Sequence, residues 1–94
     1  MESNYHMLLD FDYKAEHPGF CTSEEMDRIS NHFKLKEKSD VELQNLRDFA
    51  VLFFGEKLDE ERGKSVKKYL DTADTMSAIT GVIDFEKAER GLEV

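Results

Sequence analysis

One cysteine (Cys21), one proline (Pro18) and no tryptophan occur among the 94 residues of this chain. A single cysteine excludes an intramolecular disulfide. No apolar run exceeds Phe49 to Phe54, which is far too short to span a bilayer. Met1 is followed by Glu2 and Ser3, not by a basic segment leading into an apolar one. No secretory signal is therefore expected, and the expected compartment is a reducing cytoplasm. The five glycines are scattered at 19, 55, 63, 81 and 91 and form neither GxGxxG nor a P-loop. Each reads as a turn or a cap.

Positive charge is also scarce. Lys and Arg number 13 against 21 Asp and Glu, a net of -8. That balance repels nucleic-acid phosphates and anionic membranes, and it favours partners with basic surfaces. Its distribution is uneven. Residues 1–32 carry seven acids and two bases, residues 33–70 eight acids and nine bases, and residues 71–94 six acids and two bases. The acidity thus lies at the two ends.

What the sequence does contain is a globular mixture, 39% hydrophobic and 36% charged, with seven Phe and three Tyr as bulky core material. The length fits a single domain, 1–94, with a modest core. His17-Pro18-Gly19 is the clearest turn signal. Before it, Tyr5 to Tyr13 fits a short helix capped by Ser3 and burying Met7, Leu8 and Phe11; a strand is the alternative. Thr22-Ser23-Glu24-Glu25 has the form of a capping box, and Met26, Ile29 and Phe33 follow on one helical face. Ser39-Asp40-Val41-Glu42 repeats the box ahead of Leu43, Leu46, Ala50 and Phe53, with Gly55 as the expected stop. Ser65 precedes a third stripe of Val66, Tyr69, Ala73 and Met76, with Leu70 beside it. Gly81 and the β-branched stretch Ile79 to Phe85 allow a strand, but helix is the reading favoured throughout. Asp84 could cap a last short helix closed by Gly91. The fold expected is all-α: a small bundle of three main helices near 23–37, 40–54 and 65–80, with short flanking elements. An α+β arrangement with a short strand near 5–13 or 79–85 is the alternative.

Catalytic and metal chemistry find little support. Cys21 precedes a helix N-terminus and His17 lies four residues upstream, but no third orienting group accompanies them. The stronger reading of Cys21 is a small residue tucked in at a helix entry. His6, His17, Cys21 and His32 lack the paired spacing of a zinc site. The clusters Asp59-Glu60-Glu61 and Asp71/Asp74 lack the spacing and glycine of an EF-hand loop. No metal and no cofactor is expected. Two lysine groups, Lys34/Lys36/Lys38 and Lys64/Lys67/Lys68, alternate with acids and read as helix-end charges.

The remaining expectation is a non-catalytic, acidic protein-interaction module, regulatory or inhibitory. It would bind a basic surface of a partner such as a nucleic-acid-binding protein or a toxin, without touching nucleic acid or membrane itself. Glu24, Glu25 and Asp27 on one helix, and Asp71 and Asp74 on another, are the candidate contacts. The alternative is a self-associating structural or accessory subunit, a homodimer formed through Phe49, Leu52 and Phe54. The run Phe49-Ala50-Val51-Leu52-Phe53-Phe54 is apolar around the whole helical cylinder and asks for cover on several sides.

Overall fold

The computed structural model describes residues 4–11 and 21–92. Helix α1 is Asn4–Leu9, α2 is Ser23–Phe33, a 3-10 turn covers Leu35–Glu37, α3 is Asp40–Glu61 and α4 is Val66–Glu89. No strand occurs among the described residues, so the fold is the all-α bundle expected, and the strand alternative at 79–85 is not realised. The Ser3 cap and the His17-Pro18-Gly19 turn lie outside the described residues.

Both capping boxes form. Thr22 Oγ1 accepts the Glu25 N–H at 3.1 Å while Glu25 Oε1 accepts the Thr22 N–H at 3.1 Å. Ser39 Oγ and Glu42 repeat the exchange at 3.2 and 3.0 Å. Each pair of bonds satisfies two backbone donors that a helix start leaves orphaned. Helix α2 ends earlier than expected, at Phe33, because Lys34 adopts a left-handed conformation with φ 54°. That turn brings Leu35 back into the core, where it is fully buried.

The other two main helices run longer than expected. Helix α3 passes through Gly55 to Glu61, and α4 passes through Gly81 to Glu89. A glycine stops a helix only by taking a left-handed turn. Gly63 and Gly91 do so, with φ 80° and 79°, whereas Gly55 and Gly81 stay helical. The residues beyond them explain why. Leu58 lies half-buried past Gly55, and Val82 and Ile83 are core residues past Gly81. Keeping the helix intact offsets the roughly 1 kcal/mol that an interior glycine costs. Helix α4 has 24 residues, so it spans about 36 Å at about 1.5 Å per residue. It therefore sets the 39 Å long axis of the molecule.

The core sits toward one end of this long pair. It joins Met7 and Leu8 of α1, Ile29 and Phe33 of α2, Leu35 of the 3-10 turn, Leu43, Leu46, Ala50 and Phe54 of α3, and Ile79, Val82 and Ile83 of α4. His32 bridges α1 to α2, its Nε2 lying 2.8 Å from the Met7 carbonyl, and its ring sits 4.8 Å from those of Phe11 and Phe33. Seven expected core positions differ. Val66 and Leu70 are exposed, Met26, Tyr69, Ala73 and Met76 are half-buried, and Phe53 is half-buried where its neighbour Phe54 is buried. For those on α4 the reason is the length of α4. Its first half meets α3 alone, so only one narrow side is covered there, while its second half is held between α3 and α2.

Two substitutions test this layout. Phe54→Ala should destabilise the protein by about 3–5 kcal/mol in chemical denaturation. Gly81→Ala should stabilise it by roughly 0.5–1 kcal/mol, since a Cβ there meets open space.

Candidate protein-interaction site

Polar chemistry in this molecule concentrates where the ends of α2 and α4 meet. Arg90 caps α4 and donates to the carbonyls of Lys38 at 2.8 Å and Leu35 at 2.9 Å. It also pairs with Asp40 at 3.0 Å and Glu86 at 3.2 Å. Lys36 reaches Glu86 at 2.9 Å and Glu89 at 3.6 Å. Further along, Arg47 grips Asp84 with two bonds, at 2.7 and 3.2 Å, and Lys87 donates to Gln44 at 2.6 Å. Glu86 is buried, and the hydrogen bond from Lys36 holds its carboxyl below the ordinary 4.5, against the opposing effect of burial and with help from Arg90. The same contact raises Lys36, and the Asp84 bond raises Arg47. These groups satisfy one another and serve the fold.

Beside this network lies a cleft of about 110 Å³ between α2 and α4. Met26, Val82 and Phe85 make its apolar wall, and Asp27, Glu86 and Glu89 its acidic side, with Lys36 at one edge. Phe85 is 52% exposed although aromatic. Asp27 is exposed and forms no ion pair among the described residues. A long cationic side chain suits such a cleft. Its methylene stem can lie along the apolar wall and the Phe85 ring while its head reaches the carboxylates.

The structure separates the acids that the sequence grouped. Glu24 and Asp27 are exposed on α2. Glu25 is not on the surface. It is 4% exposed, and its carboxylate is committed to the Thr22 cap, so its place in the capping box decides its role. Asp71 is exposed and Asp74 half-exposed, both on the first half of α4. Asp74 lies 11 residues from Phe85, about 16 Å along the helix. The two groups therefore do not form one patch. Of the three residues considered for self-association, Leu52 is 68% exposed, Phe49 is half-buried and stacked on Phe53, and Phe54 belongs to the core. Phe54 alternates inward because it lies on the same face as Leu46 and Ala50.

Sequence reading missed Phe85 and the Arg90, Glu86 and Lys36 network. Arg90 and Leu35 are 55 residues apart, and no local pattern announces such a pair. An aromatic in an acidic helical turn, Asp84-Phe85-Glu86, was the one available hint. Cys21 is half-buried at the entry to α2, and its sequence neighbour His17 lies outside the described residues. Among the described residues no three His, Cys, Asp or Glu side chains converge on a metal site. Among the described residues no helix is long and apolar enough to cross a membrane. Compared with protein-family models, with curated proteins and with solved structures, the chain matches none.

The Glu86 carboxylate gives a pH test. Its folded acidity lies below the ordinary 4.5, so its ion pairs stabilise the fold above that pH and are lost as pH falls through the lower folded value. Thermal unfolding of Glu86→Gln should therefore show a shallower loss of Tm below pH 4.5 than the unsubstituted chain, which starts higher.

Proposed function

We propose that this chain is a non-catalytic protein-interaction module that binds a basic surface of a partner protein, in a regulatory or inhibitory role. The observation that carries the reading is the α2–α4 cleft. A carboxylate with no ion pair among the described residues, Asp27, stands beside a half-exposed aromatic, Phe85, on a chain with a net charge of -8. An exposed Phe next to a free acid is the arrangement that takes an arginine or lysine from a partner, with the apolar contact giving affinity and the charge giving orientation and speed. Glu24, one turn before Asp27 on the same side of α2, extends the acidic rim. Asp71 and Asp74 serve as a second, separate acidic area that steers a basic partner at longer range. A nucleic-acid-binding protein or a basic toxin in the cytoplasm has the matching surface. Nothing in the reading requires a metal or a cofactor.

A titration of isotopically labelled protein with a helical peptide that carries leucine and arginine at i, i+3 and i+4 spacing on one face tests it. Amide shifts should centre on Asp27, Val82 and Phe85. Binding should weaken about tenfold between roughly 0.05 and 0.5 M NaCl, as screening shortens the reach of the carboxylates. Asp27→Asn combined with Glu89→Gln should remove most of the shifts without altering the helical content. Shifts spread evenly over every exposed acid, or binding indifferent to salt, would overturn the cleft reading.

A further inference from the structure

We infer that the outer face of the α3–α4 hairpin seats a second copy of this chain, two hairpins packing into a four-helix dimer.

The face follows from the register of the two helices. Gln44 bonds Lys87, Arg47 bonds Asp84 and Glu61 accepts from Thr72, so α3 and α4 run antiparallel in one fixed alignment. Extending that alignment sets Val51 across from Thr80 and Leu58 across from Ala73. On the side away from α1 and α2, helical spacing then brings up Val51, Gly55 and Leu58 from α3, and Val66, Leu70, Ala73 and Ser77 from α4. None of these seven carries a charge, in a chain that is 36% charged. Val51 is 41% exposed, Leu70 55% and Val66 78%, and Leu52 borders the same strip. Isolated exposed apolar residues are ordinary, but a continuous uncharged strip along two helices is the mark of a covered surface.

Two observations name the occupant as a copy rather than a charged partner. The first is charge. Most of the molecule is acidic and repels its own copies, while the half of the hairpin that carries the strip, residues 51–77, holds six acids against five bases. Two copies meet with least repulsion there. The second is backbone. Gly55 lies in the strip, interrupts no internal contact and meets open space, yet a glycine within a helix is unfavourable. A facing helix that approaches closely there gives it a use. A strip without charge holds nothing to orient a basic partner, whereas a two-fold axis lets the strip match itself. This inference is independent of the α2–α4 cleft, which lies on other faces of α2 and α4.

Sedimentation equilibrium of the full chain tests it. A dimer should form with rising concentration up to about 500 µM. Raising NaCl from about 0.1 to 0.5 M should strengthen it, because salt screens the acidic copies from each other, the reverse of the effect on a basic partner. Leu70→Glu should weaken dimerisation by about 30-fold or more with unchanged helical content, since Leu70 touches solvent in the monomer. Phe85→Glu, about 22 Å farther along α4 in the α2–α4 cleft, should leave it intact. A chain still monomeric at the highest concentration would overturn the inference. So would a dimer that survives Leu70→Glu and Val51→Glu, or one that Phe85→Glu dissolves.

Discussion

Arg90 reaches more of the chain than any other side chain described. Its guanidinium joins the last turn of α4 to the 3-10 turn, to the loop before α3 and to the first residue of α3. A helix that ends at Phe33 and a tight turn that follows leave carbonyl oxygens with no helical partner. Arg90 supplies a donor to the Lys38 carbonyl and a second bond to the Leu35 carbonyl, which already accepts the Lys38 N–H, and its planar fork allows both at once. Together with Lys36, whose bond counts for more, the same group balances the buried Glu86 carboxylate. With this knot in place, the end of α2 must lie over the end of α4. The cleft between them, and the exposure of Phe85 on its wall, are consequences of that docking.

The second constraint is supply. A chain of 94 residues has apolar material for one compact core, not for a core as long as its longest helices. The long helices α3 and α4 therefore share a sheltered half, flanked by α1 and α2, and a bare half supported only by each other. The bare half keeps its register through polar contacts such as Thr72 with Glu61, and through half-buried Leu58, Ala73 and Met76. This division separates two surfaces by chemistry: a charged, aromatic cleft at the base and an uncharged strip along the hairpin.

Helix starts were the most legible part of the sequence. Thr22 to Glu25 and Ser39 to Glu42 are local patterns with a local cause, and both fold as their spacing dictates. Helix ends were less legible. Gly55 and Gly81 carry the same residue type as Gly63 and Gly91, and only the partners of Leu58, Val82 and Ile83 decide which of them turn. The buried set was readable for α2 and the first half of α3, where one face suffices. It was misread for Val66 and Leu70, because residues beyond 80 read as a separate short helix and not as the half of α4 that reaches the core. The cleft was legible only in part. Asp27 could be singled out as an exposed acid, but its company with Phe85 depends on a crossing of helices that Arg90 and Lys36 fix from far along the chain.

The tip of the hairpin runs against its own dipoles. Helix α3 ends in Asp59, Glu60 and Glu61, negative charge at a negative pole, and α4 begins with Lys67 and Lys68, positive charge at a positive pole. Ser65 alone caps α4, by a single 3.3 Å bond and without the reciprocal partner that the other two starts possess. Local opening thus begins at residues 59–68 and moves inward toward Ile79 and Ile83, which makes the hairpin a graded element, loose at its turn and rigid at its root.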